Sequence, residues 1–347
     1  MRSVSAARFY SAPPDESRDR PSWPCIRLQN WSEMTGSSQA TLRLGYFSKS
    51  PILEVAQRDG LLEAQGLRVE AEAVSSSPAQ FRSLVADEYD LVLTSPDNVA
   101  AYRFGTANPL GEQIDVRIIR AVDGGLGLSV LGAEGVGNVD DLRGRTVAVD
   151  VPESGFAFAL YHLLAERGLT RDADYRIIAL GATPRRAVAL REGRCDATLL
   201  NGGATVAAEL AGLVNLGRIS DVVRPYLGTV LAATGARLDG DDAPLRRFCV
   251  AWDQAVATLL DASRADALTP LLSDVFGLPE TQVAAMRNTL NDPDEGLIVD
   301  QAVDPAAMHS VLDLRVRYGS PDAAAAVRSA LHAGIDASGI IDSRFRR

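Results

Sequence analysis

LRLGYFSKSPILEVAQRDGLLEAQGLRVE, from Leu42 to Glu70, decides the fold. Leu42–Phe47 reads as a β-strand. Ile52–Gln65 reads as a helix, with Ile52, Val55, Ala56 and Leu62 on its inner face and Gly60 and Gly66 punctuating its end. From Leu67 to Val74 the period becomes two, as Leu67, Val69, Ala71 and Ala73 alternate with Arg68, Glu70 and Glu72. Strand, helix and strand in so short a segment imply parallel strands and a right-handed crossover.

The alternation continues outward from this unit. A helix over Ala79–Ala86 leads to Asp90–Thr94, where Leu91, Val92 and Leu93 read as a strand buried on both faces. Another helix starts at Asp97, and Val116–Val122 is a fourth strand. The pattern then restarts, with strands at Arg145–Asp150, Tyr175–Leu180, Asp196–Leu200 and Gly228–Thr234. Helices over Gly155–Arg167, Thr183–Arg191 and Gly203–Ala211 separate them. From Ala243 the chain reads as helical: Ala243–Leu260, Ala265–Phe276, Pro279–Leu290, Pro305–Tyr318 and Pro321–Ala333. Two α/β units with mostly parallel sheets are therefore followed by a helical C-terminal region.

Composition narrows the function classes. A chain of 347 residues fits two compact domains or one large one. Its net charge of −10 disfavours general nucleic-acid binding, because phosphate would be repelled. No apolar run approaches the roughly 18 residues of a transmembrane helix. Cys25, Cys195 and Cys249 are far apart, and His162, His309 and His332 are equally scattered. That spacing supports neither a disulfide framework nor a metal site, and no cofactor is expected. His162 reads as a packed residue in an amphipathic helix, and Cys195 and Cys249 as small core hydrophobes.

Residues 1–40, rich in Ser, Pro and Arg, have no apolar period and read as a disordered tail. They contain neither the apolar core of a secretory signal nor a small apolar segment before Cys25. As encoded, the chain is expected in the cytoplasm, and outside it if the start is misassigned. Met34 is an alternative start.

One local pattern recurs. Ser50-Pro51, Ser77-Pro78, Ser95-Pro96 and Thr183-Pro184 each fall where a strand hands over to a helix. The hydroxyl can cap the first turn, and Pro at the first helical position loses no hydrogen bond. In an open parallel sheet such turns gather helix N-termini at a ligand crevice.

The stretch Leu42–Glu70 resembles the opening of type II solute-binding proteins, the periplasmic-binding-protein-like family. The nearest subgroup takes taurine, alkanesulfonates, nitrate or thiamine-pyrimidine precursors. Further matches are YDLVLTSPDNVAAY, VDDLRGRTVAVDVPESGFAFALYHLLAERGL, VALREGRCDATLLNGGATVAAE and TVLAATGARL, of which the Asp-Leu-Arg-Gly-Arg-x-Val-Ala-Val segment is the most specific. The resemblance covers roughly Leu42 to Phe276. It implies an α/β fold of two doubly wound lobes joined by a two-strand hinge, with a ligand cleft between them and C-terminal helices. Lobe 1 would comprise residues 41–128 and lobe 2 residues 129–230, with residues 231–347 forming the return to lobe 1 and the C-terminal helices, which would belong mostly with lobe 1. The crossings would lie near Gly127–Leu131 and Leu231–Gly235. The implied partners are a small-molecule ligand and an ABC permease.

In such a cleft, Phe47, Ser48 and Lys49 offer an aromatic wall, a hydroxyl and the chain's only lysine, a set suited to a small, partly apolar anion. Ser76, in the run Ser75–Ser77, and Thr94 and Ser95, with Asp97 and Asn98 beyond, supply short donors. Asp123 and Gly124 follow the fourth strand. If the lobes are arranged as in the family, Glu153, Ser154 and Phe156 face the cleft, as do Asn201 and Gly202. Thr183 opens a helix with Arg185 and Arg186, which could clamp an anion, though a solvated helix face is the favoured reading. No residue is assigned a catalytic role. The first functional reading is a non-catalytic binding protein for a small organic solute, with anions among the candidates. The second is a cytoplasmic enzyme on the same scaffold, desulfinase-like or thiamine-pyrimidine-synthase-like, although neither enzyme's cysteine signature is present. A third, a ligand-sensing module of a transcription factor, is weakened because no helix-turn-helix precedes the first strand.

Overall fold

The computed structural model describes residues 39–345. The expectations of a disordered tail and of a start at Met34 fall, up to Ser38, outside the described residues.

Two five-stranded sheets organise the described residues. The first has the order β2-β1-β3-β10-β4, from β1 (Ala40–Tyr46), β2 (Leu67–Ala73), β3 (Leu91–Thr94), β4 (Val116–Asp123) and β10 (Thr229–Thr234). The second has the order β7-β6-β8-β5-β9, from β5 (Ser129–Gly132), β6 (Thr146–Val149), β7 (Arg176–Ala179), β8 (Ala197–Leu200) and β9 (Asn215–Arg218). β1 is parallel to β2 and β3, and β6 is parallel to β7 and β8. One strand in each sheet is reversed: β10 between β3 and β4, and β5 between β8 and β9. Both are the first strand after the chain changes sheets. A chain that crosses at the carboxyl ends of the parallel strands enters the next sheet from that end, so it must run backwards.

The crossings occupy residues 124–128 and 219–228. The return therefore precedes the expected Leu231–Gly235, which lies within β10 and at its end, where β3 and β4 hold it on both sides. Gly60, in the left-handed region at φ 68°, divides the expected first helix into α1 (Pro51–Arg58) and α2 (Leu61–Ala64). The strands β5 and β9 lie outside the strands read from periodicity, because their residues, SVLG and NLGR, show no alternation.

Three clusters form the core. On one face of the first sheet, α1 packs against α9 (Ala243–Leu260) and α10 (Ala265–Phe276), with Phe248 and Trp252 fully buried among Leu42, Leu44 and Ile52. On one face of the second sheet lies a smaller cluster under α6 (Thr183–Arg191) and α7 (Gly203–Leu210). The third cluster runs through both units, through α4 (Pro96–Phe104) and α5 (Gly155–Glu166). α12 (Pro305–Tyr318) packs against both of these helices, so the C-terminal helices are not confined to lobe 1. None of the described helices is long and apolar enough to cross a membrane.

Candidate functional site

A cavity of about 170 Å³ lies where the carboxyl ends of the two sheets face each other. Its first wall is built from helix starts. Ser50 caps α1 by accepting the Leu53 amide at 3.4 Å, and Ser95 caps α4 by accepting the Asn98 amide at 3.1 Å. α3 (Ser77–Val85) is capped by Ser76, one residue earlier than the Ser77-Pro78 pattern suggested, and Pro78 sits in its first turn. Thr94 accepts a hydrogen bond from Asn98 Nδ2 at 3.1 Å. Phe47, Ser48 and Lys49 form the turn after β1 and line the same space. The Lys49 ammonium is already partnered, since Nζ lies 2.8 Å from Asp274 Oδ2 with both side chains largely exposed. That carboxylate raises the lysine pKa above its ordinary value.

The opposite wall belongs to the second sheet. Ser154 caps α5 by accepting the Ala157 amide at 3.1 Å, and its hydroxyl donates to Asp150 Oδ1 at 2.6 Å. Phe156 and Val151 add apolar surface. At α6 the Thr183 side chain is not the cap. Ala182 takes the cap position, while the Thr183 hydroxyl donates to Asn201 Oδ1 at 3.3 Å and accepts from Arg186 Nη2 at 3.1 Å. Five helix N-termini thus converge on one cavity, each presenting amides and partial positive charge.

Arg186 corrects the expectation of a solvated arginine pair. Arg185 is exposed, but Arg186 is 1% exposed and lines the cavity. Its guanidinium donates to the Gly181 and Leu199 carbonyls at 2.8 and 3.0 Å, and its Nε has no hydrogen-bond partner among the described residues. Burial lowers its pKa, opposed by the negative charge of Asp150. The signal was present in the sequence: Arg186 shares a helical face with Ala189 and Leu190, and all three are buried.

Between the walls, Asp123 ends β4 at the first crossing. It is 3% exposed, accepts the Gly125 amide on Oδ1 at 2.8 Å, and is approached by Thr229. Desolvation outweighs these donors and pushes its pKa up to about 6.

Of the residues singled out from sequence, the structure gathers Phe47, Ser48, Lys49, Ser76, Thr94, Ser95, Asp123, Ser154, Phe156, Thr183 and Asn201 around this cavity. Three others lie outside its lining. Gly124 packs against the backbone at Asp294, and Gly202 lies beside the Phe276 ring. The Glu153 carboxylate accepts the Ser320 amide at 3.0 Å, turned toward the C-terminal helices. Asp97, from the third turn, is likewise withdrawn into a buried pair with Arg315. Sequence reading missed Asp150, Leu126 and Thr229, which reach the cavity from strand ends and a crossing, and Leu297, which bridges to Asp123 from the C-terminal region; none has a motif of its own.

Two α/β lobes enclosing a small cavity, with hydroxyls and helix N-termini on both sides, define a two-lobed solute-binding protein. The comparisons specify the family. Residues 57–235 match the family of phosphonate ABC-transporter periplasmic substrate-binding proteins, and the chain belongs to it. This is the substrate-binding component of ABC importers, and the family implies a ligand and a permease as partners. No curated protein sequence matches the chain. Among solved structures, the alkanesulfonate-binding protein of Xanthomonas axonopodis pv. citri bound to MOPS is 20% identical, with a TM-score of 0.66 over 83% of this chain and 97% of that one. The periplasmic nitrate-binding protein of Synechocystis PCC 6803 is 16% identical, with a TM-score of 0.69 over 89% and 92%. The periplasmic aliphatic sulphonate binding protein of Escherichia coli is 21% identical, with a TM-score of 0.63 over 82% and 96%. At these identities the likeness shows the fold.

Proposed function

We propose that the chain captures a small ligand with an anionic head, of phosphonate, sulfonate or similar oxyanion type, and presents it to an ABC permease outside the cytoplasmic membrane. The observation that carries this reading is Arg186, a buried guanidinium at the cavity wall that has, among the described residues, no carboxylate in ion-pair contact and an unpaired Nε. A buried charge without such a partner is costly, and an incoming oxyanion supplies one. The helix starts at Ser50, Ser76, Ser95 and Ser154 add fixed donors from both lobes. Lys49, the cation that stands out in the sequence, is committed to Asp274 at the rim, so the weight falls on Arg186.

The test is calorimetric titration with ethylphosphonate, ethanesulfonate and nitrate, repeated on Arg186→Met. Removing one partner of a desolvated charge pair costs about 2–5 kcal/mol, or some thirty- to several-thousand-fold in affinity. Equal affinity in a folded Arg186→Met protein removes the arginine from the site. Fractionation of the host checks the location, and recovery only with cytoplasmic proteins refutes export.

A further inference from the structure

Two glycines of the second lobe sit against the first with no room for a side chain. Gly155 is the first residue of α5, and a Cβ there would lie 2.5 Å from Asp97 Cβ and 2.9 Å from Asp97 Cγ, in the first turn of α4. Gly203 is the first residue of α7. A Cβ there would run into the Phe276 carbonyl and lie 2.7 Å from Phe276 Cβ, at the end of α10. Neither glycine is called for by its backbone, since both are helical, where alanine is the better former. Space is what excludes the methyl. Neither neighbour can yield, because Asp97 is buried and clasped by Arg315 and the obstacle at Phe276 is main chain.

The two contacts lie on opposite sides of the cleft. On β3, Val92 joins the cluster that holds Val99 of α4, whereas Leu91 and Leu93 join the one that holds Leu268 of α10. Alternate residues of a strand point to opposite faces, so α4 and α10 cover opposite faces of the first sheet. Gly155 directly follows Ser154, and Gly203 lies two residues after Asn201, both of which line the cavity. The seating of each glycine therefore fixes how near the second wall comes to the first. Non-bonded carbons need a spacing of ~3.5–4.0 Å, so a methyl at either point would hold the lobes about 1 Å apart there. A hydrogen bond of ~2.9 Å that spans the cleft is lost when stretched by that much.

We propose that Gly155 and Gly203 are positioning residues for ligand capture, seats whose missing side chains let the lobes close far enough for both walls to hold one ligand. They touch no ligand themselves and act through Ser154 and Asn201 beside them. The geometry is independent of ligand class, and only the choice of binding probes rests on the anion reading above.

The experiment uses Gly155→Ala and Gly203→Ala, with Gly137→Ala as the control, because a Cβ at Gly137 meets only the Asp141 side chain at 3.6 Å. Nitroxide labels at Glu70→Cys and Arg176→Cys, exposed on the outer strands β2 and β7, report the lobe separation by pulsed electron resonance. Cys25→Ser removes a competing thiol, and Cys195 and Cys249 are buried. In the ligand-free chain either alanine should lengthen the mean label distance by about 2 Å, because the outer strands lie roughly twice as far from the crossings as the contacts do, at ~4.8 Å per strand. Calorimetry with ethylphosphonate and ethanesulfonate should show binding about tenfold weaker or worse in both variants. Gly137→Ala should match the parent in both measurements. An unchanged label distance overturns the proposal, whether or not binding weakens, and so does parental affinity at a lengthened distance. If one variant does not fold, the other decides; loss of folding in both would make the contacts part of the core and overturn the proposal. Failure of both probes to bind the parent chain overturns the anion reading instead, and the label distances then decide alone.

Discussion

Replacing Arg315 with methionine should destabilise the protein more than any substitution on its surface. Arg315 on α12 donates from Nε and Nη2 to the two carboxylate oxygens of Asp97 on α4, at 2.6 and 2.7 Å, and from Nη2 to the Glu153 carbonyl at 3.1 Å. Its guanidinium also lies 5.0 Å from the Phe158 ring centre on α5. Asp97 is 0% and Arg315 3% exposed, so neither charge has water to fall back on. The pair joins three helices at the place where the lobes meet. There a Cβ on Gly155, the first residue of α5, would lie 2.5 Å from Asp97 Cβ. Arg315→Met keeps most of the stem volume but leaves the Asp97 carboxylate buried and uncompensated, which costs about 3–5 kcal/mol. At about 2 °C per kcal/mol for a chain of this size, the melting temperature should fall by roughly 6–10 °C. Asp97→Asn combined with Arg315→Met removes the orphaned charge and should recover more than half of the loss. Differential scanning calorimetry at pH 7.5 measures both. A single variant that melts within about 2 °C of the parent, or a double variant no better than the single, would refute the assignment of the loss to an unpaired buried charge.

Other expected outcomes follow from the same geometry. Asp123 has a folded pKa of about 6 against an ordinary 3.8, so between those values the folded protein holds the proton more tightly than the unfolded chain. Stability should therefore rise as pH falls through that window, and Asp123→Asn should stabilise the free protein at pH 7.5 by about 1–3 kcal/mol, a gain that vanishes near pH 4. Urea titrations at the two pH values check this, and a destabilised variant at pH 7.5 would contradict the desolvation argument. Gly203→Ala should destabilise by about 1–3 kcal/mol, because a Cβ there meets the Phe276 carbonyl, backbone that cannot swing aside. An unchanged melting temperature would show that α7 and the end of α10 can separate freely. Lys49→Ala should leave the melting temperature almost unchanged, since its pair with Asp274 is exposed on both sides. It should also weaken ligand binding less than Arg186→Met, and titration of the two variants side by side ranks them.

Local chemistry made most of the architecture legible. Strands such as Leu91–Thr94 and helix starts such as Ser50-Pro51 and Ser95-Pro96 are set by hydrophobic period and capping, and both act within a few residues. Because those helix starts follow parallel strands, the sequence also places most of the cavity's hydroxyls at one end of each sheet. Long-range packing decided the remainder. β5 and β9 exist because the crossing chain finds an open edge beside β8, and their own residues show no alternation. Lys49 and Arg186 look alike as cationic candidates. Only the fold brings Asp274 to one and buries the other against Gly181 and Leu199. Asp97 and Asp123 likewise both lie at strand-end turns, yet Arg315, far along the chain, reaches one and, among the described residues, no cation pairs with the other. Charge pairing and desolvation depend on what the whole chain packs around a side chain, whereas period and capping depend only on its neighbours in sequence.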